Sequence, residues 1–509
     1  MGQPYIRFQN VTFRYEAATT TLFQDISLHV PRGWLGIVGA NGAGKTTLLR
    51  LATGLLEPDS GSIDRPPLTV YCPQRTDDRP EYFQDFLVST TKNAYIIRDR
   101  LHIQEDWNER WQTLSHGERK RAQIGTALWR EPEVLAIDEP TNHIDSEARA
   151  LIAAALHTFR GVGLLVSHDR DLLDSLCQQC LFVEPPTVIT RPGGVTKGLQ
   201  IDREEQQSLQ RQQLIKKREY TRLHREAVKR RELAQQADKR VSKRGIAKKD
   251  HDAKAKINQA RVTGKDAVGG KLLHQLDGRL QQARQQVENI RFKKEYTLGI
   301  WLPAARSSRD VLLHLPAGSL ALGGQKQIRF PELFVTPTDR IALIGPNGTG
   351  KSTLIRHLVP QINAPQKHIT YVPQEIEAQQ SREILAQVQR LPHEQLGFLM
   401  TVISRLGSRP QRLLESSIPS PGETRKLLLA LGMTRAPHII IMDEPTNHID
   451  LPSIECLEQA LAECPCCLLL VSHDRRFLQA LTQKTWEIRK GTGAEQDCVL
   501  QIRLGQQIL

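Results

Sequence analysis

Two short segments carry the residues best suited to chemistry. GANGAGKT spans Gly39–Thr46 and GPNGTGKS spans Gly345–Ser352. Each follows an apolar stretch, LGIV or IALI, which is the pattern of a phosphate-binding loop between strand and helix. Gly39, Gly42 and Gly44, and likewise Gly345, Gly348 and Gly350, let main-chain N–H groups turn toward phosphate oxygens, with Asn41 and Asn347 inside the loops. The helix that follows offers its positive end. Lys45 and Lys351 reach β- and γ-phosphates, Thr46 and Ser352 offer hydroxyls to Mg²⁺, and Thr47 and Thr353 continue the phosphate site. Two further apolar runs, VLAIDE and IIIMDE, end in paired carboxylates. Asp138 and Asp443 suit Mg²⁺, directly or through water, while Glu139 and Glu444 suit polarising an attacking water.

These residues sit in a large internal repeat. DEPTNHID occurs at Asp138–Asp145 and, letter for letter, at Asp443–Asp450. YCPQ (Tyr71–Gln74) pairs with YVPQ (Tyr371–Gln374), LSHGE (Leu114–Glu118) with PSPGE (Pro419–Glu423), and LLVSHDR (Leu164–Arg170) with LLVSHDR (Leu469–Arg475). Ser115 to Asp138 and Ser420 to Asp443 are both 23 residues, and Asp138 to His168 and Asp443 to His473 are both 30. Shared order and register imply two copies of one α/β nucleotide-binding domain, each needing a strand before its loop and a second before its carboxylates.

The set resembles the ATP-binding-cassette proteins, with two P-loop cassettes on one chain. The resemblance implies that Gln74 and Gln374 contact Mg²⁺ and the attacking water, and that His168 and His473 touch the γ-phosphate. It also implies that Ser115 with Gly117, and Ser420 with Gly422, are signature residues. Cassettes of this family pair head to tail, so Lys45, Thr46, Gln74, Asp138, Glu139 and His168 would be completed by Ser420 and Gly422. The site of Lys351, Ser352, Gln374, Asp443, Glu444 and His473 would be completed by Ser115 and Gly117. The pattern departs where the signature's usual glycine is His116 or Pro421, and where Pro419 replaces leucine. Tyr15 matches the aromatic that often stacks on adenine. The corresponding AGSLALGGQKQ has none, so adenine there would rest on aliphatic side chains and the two sites would differ in affinity.

DEPTNHID further resembles the hallmark of the ABC-F branch, whose members have tandem cassettes, a charged helical linker and no membrane domain, and mostly act on the ribosome. The resemblance covers nearly the whole chain. It implies a first cassette over 1–195, a linker over 196–297 and a second cassette over 298–509. It also implies ATP and Mg²⁺ as cofactors, with the cassettes pairing within a monomer.

The linker is legible by itself. No proline lies between Pro192 and Pro303, and good helix formers dominate. Leu273, Leu276, Leu280, Ala283, Val287 and Ile290 keep heptad spacing, as do Tyr220, Leu223, Ala227, Ala234, Ala237 and Val241 with Arg230 in the missing place. Two seams predict an antiparallel helical hairpin with its tip at Ser242–Lys271. Lys197–Glu295 holds 27 Lys and Arg against 13 Asp and Glu, a net of +14, whereas the whole chain is +13. The basic excess belongs to the linker and favours a phosphate-rich partner. With Tyr220 and Phe292 its only aromatics, folded-RNA contact fits better than base stacking.

At 509 residues and 39% apolar, the chain is globular and of several domains. No apolar run reaches the ~18–20 residues that cross a bilayer, and MGQPYIRFQN has neither a signal nor a myristoylation pattern. The expectation is a cytoplasmic protein without its own membrane channel. Eight cysteines make no disulfide framework, and Cys464, Cys466 and Cys467 read as buried strand-end residues. Gln74 to Ser115 is 41 residues and Gln374 to Ser420 is 46, too few for the helical arm of some translation factors, and 36 residues follow His473. By analogy the outline is that of the ribosome-protection members. The expected activity is ATP hydrolysis coupled to docking at the ribosomal exit (E) site. The linker would reach rRNA, the tRNA in the peptidyl (P) site and the peptidyl-transferase centre. A DNA-acting ATPase and a transporter subunit are the alternatives.

Overall fold

The strand Val134–Asp138 is buried at all five positions, as a parallel strand covered on both faces must be. In the computed structural model it belongs to a six-stranded sheet. The sheet order is Thr69–Cys72, Val134–Asp138, Val162–Val166, Gly33–Gly39, Gln179–Glu184 and Thr187–Pro192. All neighbours are parallel except the last pair. The structure describes the chain except residues 1–2, 17, 143, 241–264, 290–303, 324–325, 407–420, 448, 492–496, 506 and 509. For 233–240, 265–274, 378, 405, 421 and 507–508 it describes the backbone alone.

The second half repeats the arrangement. Ile369–Val372, Ile439–Asp443, Cys467–Val471, Arg340–Ile344 and Lys484–Lys490 run in that order, all parallel. Cys498–Leu504 then joins antiparallel and connects, through Ile328↔Cys498, to the hairpin of Gly318–Gly323 and Lys326–Phe330. In the first half the outer strands Ile6–Phe13, Phe23–Val30 and Ser60–Asp64 form a separate antiparallel sheet. Cys464, Cys466 and Cys467 are buried, with Cys467 opening its strand. In both halves the phosphate loop follows one central strand, and the carboxylate pair follows the strand two places away in the sheet. The loops therefore gather at one carboxyl edge of the sheet, where ligands of parallel sheets bind.

Two units are distinguished: residues 1–198 with 298–509, and residues 199–297. In the second, Val195–Arg240 and Lys265–Asn289 supply the two helices. Leu223, Ala227, Leu276 and Ala283 are buried together, with Tyr220 and Leu280 packed against them. Arg231 Nη2 lies 2.6 Å from Asp277 Oδ1, while Tyr220 interacts with Arg284, so the helices run antiparallel. Of the expected seam residues whose side chains are described, Val287 is partly buried and stands outside this cluster. Ala234, Ala237 and Leu273 have no described side chain, and Val241 and Ile290 lie outside the described residues. Most of the expected tip also lies outside them, but its end is corrected. The second helix begins at Lys265 and carries Gly269–Gly270 within it, a local cost of about 1 kcal/mol per glycine. Among the described residues no helix is long and apolar enough to cross a membrane.

Candidate nucleotide sites

Each phosphate loop is shaped by left-handed glycines. Gly42 and Gly44 have φ of 77° and 96°, and Gly348 and Gly350 have 74° and 89°. A Cβ on Gly44 would lie 2.8 Å from Phe23 Cζ, so the loop closes against the core as only glycine permits. Lys45 Nζ donates to the carbonyls of Gly39 and Ala40 at 2.8 and 3.1 Å. Lys351 does the same to Gly345 and Pro346 at 2.8 and 3.0 Å. Burial holds both ammonium pKa values below the usual lysine range, opposed by the neighbouring carboxylates.

At the strand ends, Thr46 Oγ1 donates to Asp138 Oδ2 at 2.7 Å, and the Tyr71 hydroxyl donates to the same oxygen at 3.2 Å. Ser352 stands beside Asp443 in the second half, where burial raises the carboxyl. A hydroxyl and a carboxylate oxygen side by side are the hard donors that Mg²⁺ takes alongside phosphate oxygens. Glu139 and Glu444 are buried at φ 46° and 50°, held there by main-chain N–H bonds to Val166 and Val471 at 2.9 and 2.8 Å. His168 Nε2 lies 3.2 Å from Glu139 Oε1 and His473 Nε2 lies 3.4 Å from Glu444 Oε1. Each histidine N–H also reaches its glutamate at 3.3 Å. Burial pushes both glutamates up to about 7, against the pull of Lys45 or Lys351. Burial, then Lys351 and Arg149, push His473 down to about 3.

Gly348, Gly350, Lys351, Ser352, Thr353, Gln374, Asp443, Glu444 and His473 line one cavity of about 380 Å³, with Asn347 and Leu322 at its wall. Leu322 is the aliphatic side chain that the second half offers. In the first half Tyr15 is half-exposed, and its hydroxyl lies 2.8 Å from Thr47 Oγ1, which places the ring beside the phosphate loop. Gln74 is exposed, and its carbonyl accepts from Lys120 Nζ at 3.2 Å.

Ser115 caps the helix His116–Trp129 through a capping box with Glu118, its hydroxyl 2.7 Å from Glu118 Oε2. Ser115 and Gly117 line a second cavity, of about 180 Å³, together with Asp145 and with Asn347 of the opposite phosphate loop. Asn347 N donates to Asp145 Oδ2 at 3.4 Å, and Asn41 N to Asp450 Oδ2 at 2.8 Å, so each loop meets the other half. Burial would raise Asp450, but bonds from Ser453 and Asn41 outweigh it and hold the carboxyl low. Ser420 lies outside the described residues; Gly422 is buried in the helix Pro421–Met433. Proline opens that helix because the first position needs no intrahelical N–H bond.

Sequence reasoning missed the contacts that join the halves. Arg170 reaches Glu458 and Asp474 at 3.0 and 3.3 Å. Arg476 reaches Asp171, Asp174 and the Thr196 hydroxyl at 2.5, 2.8 and 2.6 Å. The terminal aspartates of the two DEPTNHID repeats were the available signal for Asp145 and Asp450. Arg170 closes the repeated LLVSHDR segment, but no pattern named its partners, and none marked Arg476.

The ABC transporter family matches residues 23–142 and 331–447. The ribosome protection protein VmlR of Bacillus subtilis (strain 168) is 27% identical over 487 residues, covering 92% of this chain and 84% of that protein. ABC transporter F family member 2 of Arabidopsis thaliana is 24% identical over 559 residues, covering 96% and 76%. Among solved structures, the archaeal ribosome recycling factor aABCE1, in complex with the ribosomal stalk protein aP1, aligns with a TM-score of 0.62 at 18% identity, over 96% of this chain and 89% of that one. That likeness is one of fold.

Proposed function

We propose that the chain is an ATP-binding-cassette ATPase of the F branch that acts on the ribosome and works in the cytoplasm. It comprises cassettes over 1–195 and 298–509 and a linker over 196–297. The observation that carries the reading is the cavity formed where Lys351, Asp443, Glu444 and His473 converge, joined through Asn347 to the one lined by Ser115 and Gly117.

The loop N–H groups with Lys45 and Lys351 hold the phosphates of two ATP molecules between the halves. Thr46, Gln74 and Asp138, and Ser352, Gln374 and Asp443, would hold Mg²⁺, which supplies charge neutralisation on the phosphates. Glu139 and Glu444 orient the attacking water. Their burial raises their affinity for its proton, and His168 and His473 fix their carboxylates. Ser115 with Gly117, and Ser420 with Gly422, close the sites from the opposite half. ATP binding brings the cassettes together, and hydrolysis releases them.

The closed protein docks at the ribosomal E site, and the basic linker meets rRNA and the P-site tRNA, as a translation factor or by protecting the ribosome from an antibiotic. The +14 charge of Lys197–Glu295 supports a phosphate-rich partner. The test is a Glu139→Gln, Glu444→Gln double variant, which should co-sediment with ribosomes when ATP is present. Failure to co-sediment, with retention on DNA in a gel-shift assay instead, refutes the reading.

A further inference from the structure

The geometry points to Arg149 as a positioning residue of the first half that acts chiefly on the opposite half's site. Arg149 lies in the helix Ser146–Leu156, four residues past Asp145. Its Nη1 donates to the main-chain carbonyl of His473 at 3.0 Å. Its Nε lies 3.2 Å from Asp169 Oδ2, on a side chain only 5% exposed. Asp169 is itself fixed, because it caps the helix Arg170–Leu176 by accepting from the Leu172 N–H. The guanidinium fork is therefore anchored in the first half. Its free arm grips the residue whose imidazole and main-chain N–H both meet Glu444.

The duplication is broken at this position. Asp443 lies 305 residues after Asp138, and the residue at the same offset from Arg149 is Ile454. Ile454 is buried and has no donor, so position 454 cannot grip the carbonyl of His168. Two sites with the same eight-residue carboxylate motif thus differ in what fixes their histidine.

The inference rests on the reading of Glu444 as the group that orients water. Without Arg149 the turn at Ser472–Asp474 gains freedom, and the imidazole keeps only its side-chain contacts with Glu444 Oε1 and Asn347 Oδ1, at 3.4 and 3.1 Å, to place it. Arg149's fork meets the main chain of His473 and the carboxylate of Asp169, so its loss acts on the turn that carries the histidine and slows chemistry more than nucleotide binding. The second site is then fully competent only while the first half stands against it.

The experiment compares Arg149→Met and Arg149→Lys in two backgrounds: Glu139→Gln, where turnover comes from the second site, and Glu444→Gln, where it comes from the first. Arg149→Met should lower kcat about tenfold in the Glu139→Gln background, with KM within about twofold, since misplacing a catalytic group by ~1 Å costs up to 10²-fold. The loss should be at least about fivefold greater there than in the Glu444→Gln background. Arg149→Lys keeps a cation beside Asp169 and should recover part of kcat. If the methionine variant fails to fold, the lysine variant decides, with a smaller loss of the same asymmetry. Equal losses in both backgrounds, or a change in KM alone, overturn the inference. Undiminished turnover in the Glu139→Gln, Glu444→Gln double variant overturns instead the reading beneath it.

Discussion

Arg170 tests whether the contacts between the halves are strong enough to govern an ATP-driven closure. Its side chain is 10% exposed and bridges Glu458 and Asp474, whose side chains are 24% and 16% exposed. Arg170→Ala leaves both carboxylates without this cation. Breaking a fully buried pair costs about 3–5 kcal/mol, and an exposed pair about 0–1 kcal/mol. At these exposures the expected cost is about 2–3 kcal/mol. Glu458→Ala removes one arm of the bridge and leaves Asp474 to hold the guanidinium, so it should cost about 1 kcal/mol. Because the partners touch, the double variant should cost less than the sum, by about 1 kcal/mol. Unfolding of a two-cassette chain is not a two-state process, so the readout is closure itself. Energy transfer between dyes on the two halves of the Glu139→Gln, Glu444→Gln protein is followed as ATP is titrated. Because two ATP molecules drive closure, the midpoint for Arg170→Ala should rise about 5- to 12-fold, at about 2 × 1.4 kcal/mol per decade. A midpoint within about twofold of the parent, or strict additivity in the double variant, would refute this account of the bridge.

Three further outcomes are expected. Lys120 is fully buried, donating to Pro73 O, Gln74 O and Gln123 Oε1, and burial lowers its pKa to about 8. The unfolded chain keeps that proton to about 10.4, so it binds more protons than the folded chain between those values and stability rises with pH there. The melting temperature of the parent minus that of Lys120→Met should therefore grow from pH 8 to pH 10; a constant difference contradicts it. Leu276 is buried in the linker seam, and Leu276→Ala should cost the hairpin about 2–4 kcal/mol. Amide exchange over 275–289 should accelerate while ATP hydrolysis persists, and unchanged exchange would count against the seam. Binding of the protein to ribosomal RNA should weaken by about 10³–10⁵ between 50 and 200 mM salt if the linker makes six to ten phosphate contacts; a flat salt response argues against phosphate recognition.

The chemistry-bearing loops were legible because their determinants are local. A glycine pattern, a strand end and a carboxylate pair each fall within a dozen residues, and duplication set their register twice. The head-to-tail pairing came only through family resemblance, and the Asn347 contact with Asp145 lies 202 residues apart in sequence. Arg170–Glu458 and Arg149–His473 were illegible for a different reason. They span 288 and 324 residues, and although Arg170 has its counterpart in Arg475, Glu458 and Arg149 correspond to Ala153 and Ile454, so the repeat could not expose the pairs. The linker seams were readable from heptad spacing, but the start of the second helix was not. Gly269–Gly270 falls in the glycine-bearing stretch that reads as the tip, yet the helix Lys265–Asn289 includes both, against their low propensity.

The left-handed backbone of Glu139 and Glu444 has a consequence for how this sequence can drift. At φ 46° and 50° a glutamate is held in a conformation that glycine adopts freely. A library at these two codons selected for thermal stability alone should enrich glycine, with asparagine behind it. Retaining glutamate there requires selection for turnover. The two positions thus record a standing conflict between folding and activity, and any lineage released from the need to hydrolyse ATP would be expected to lose these side chains early.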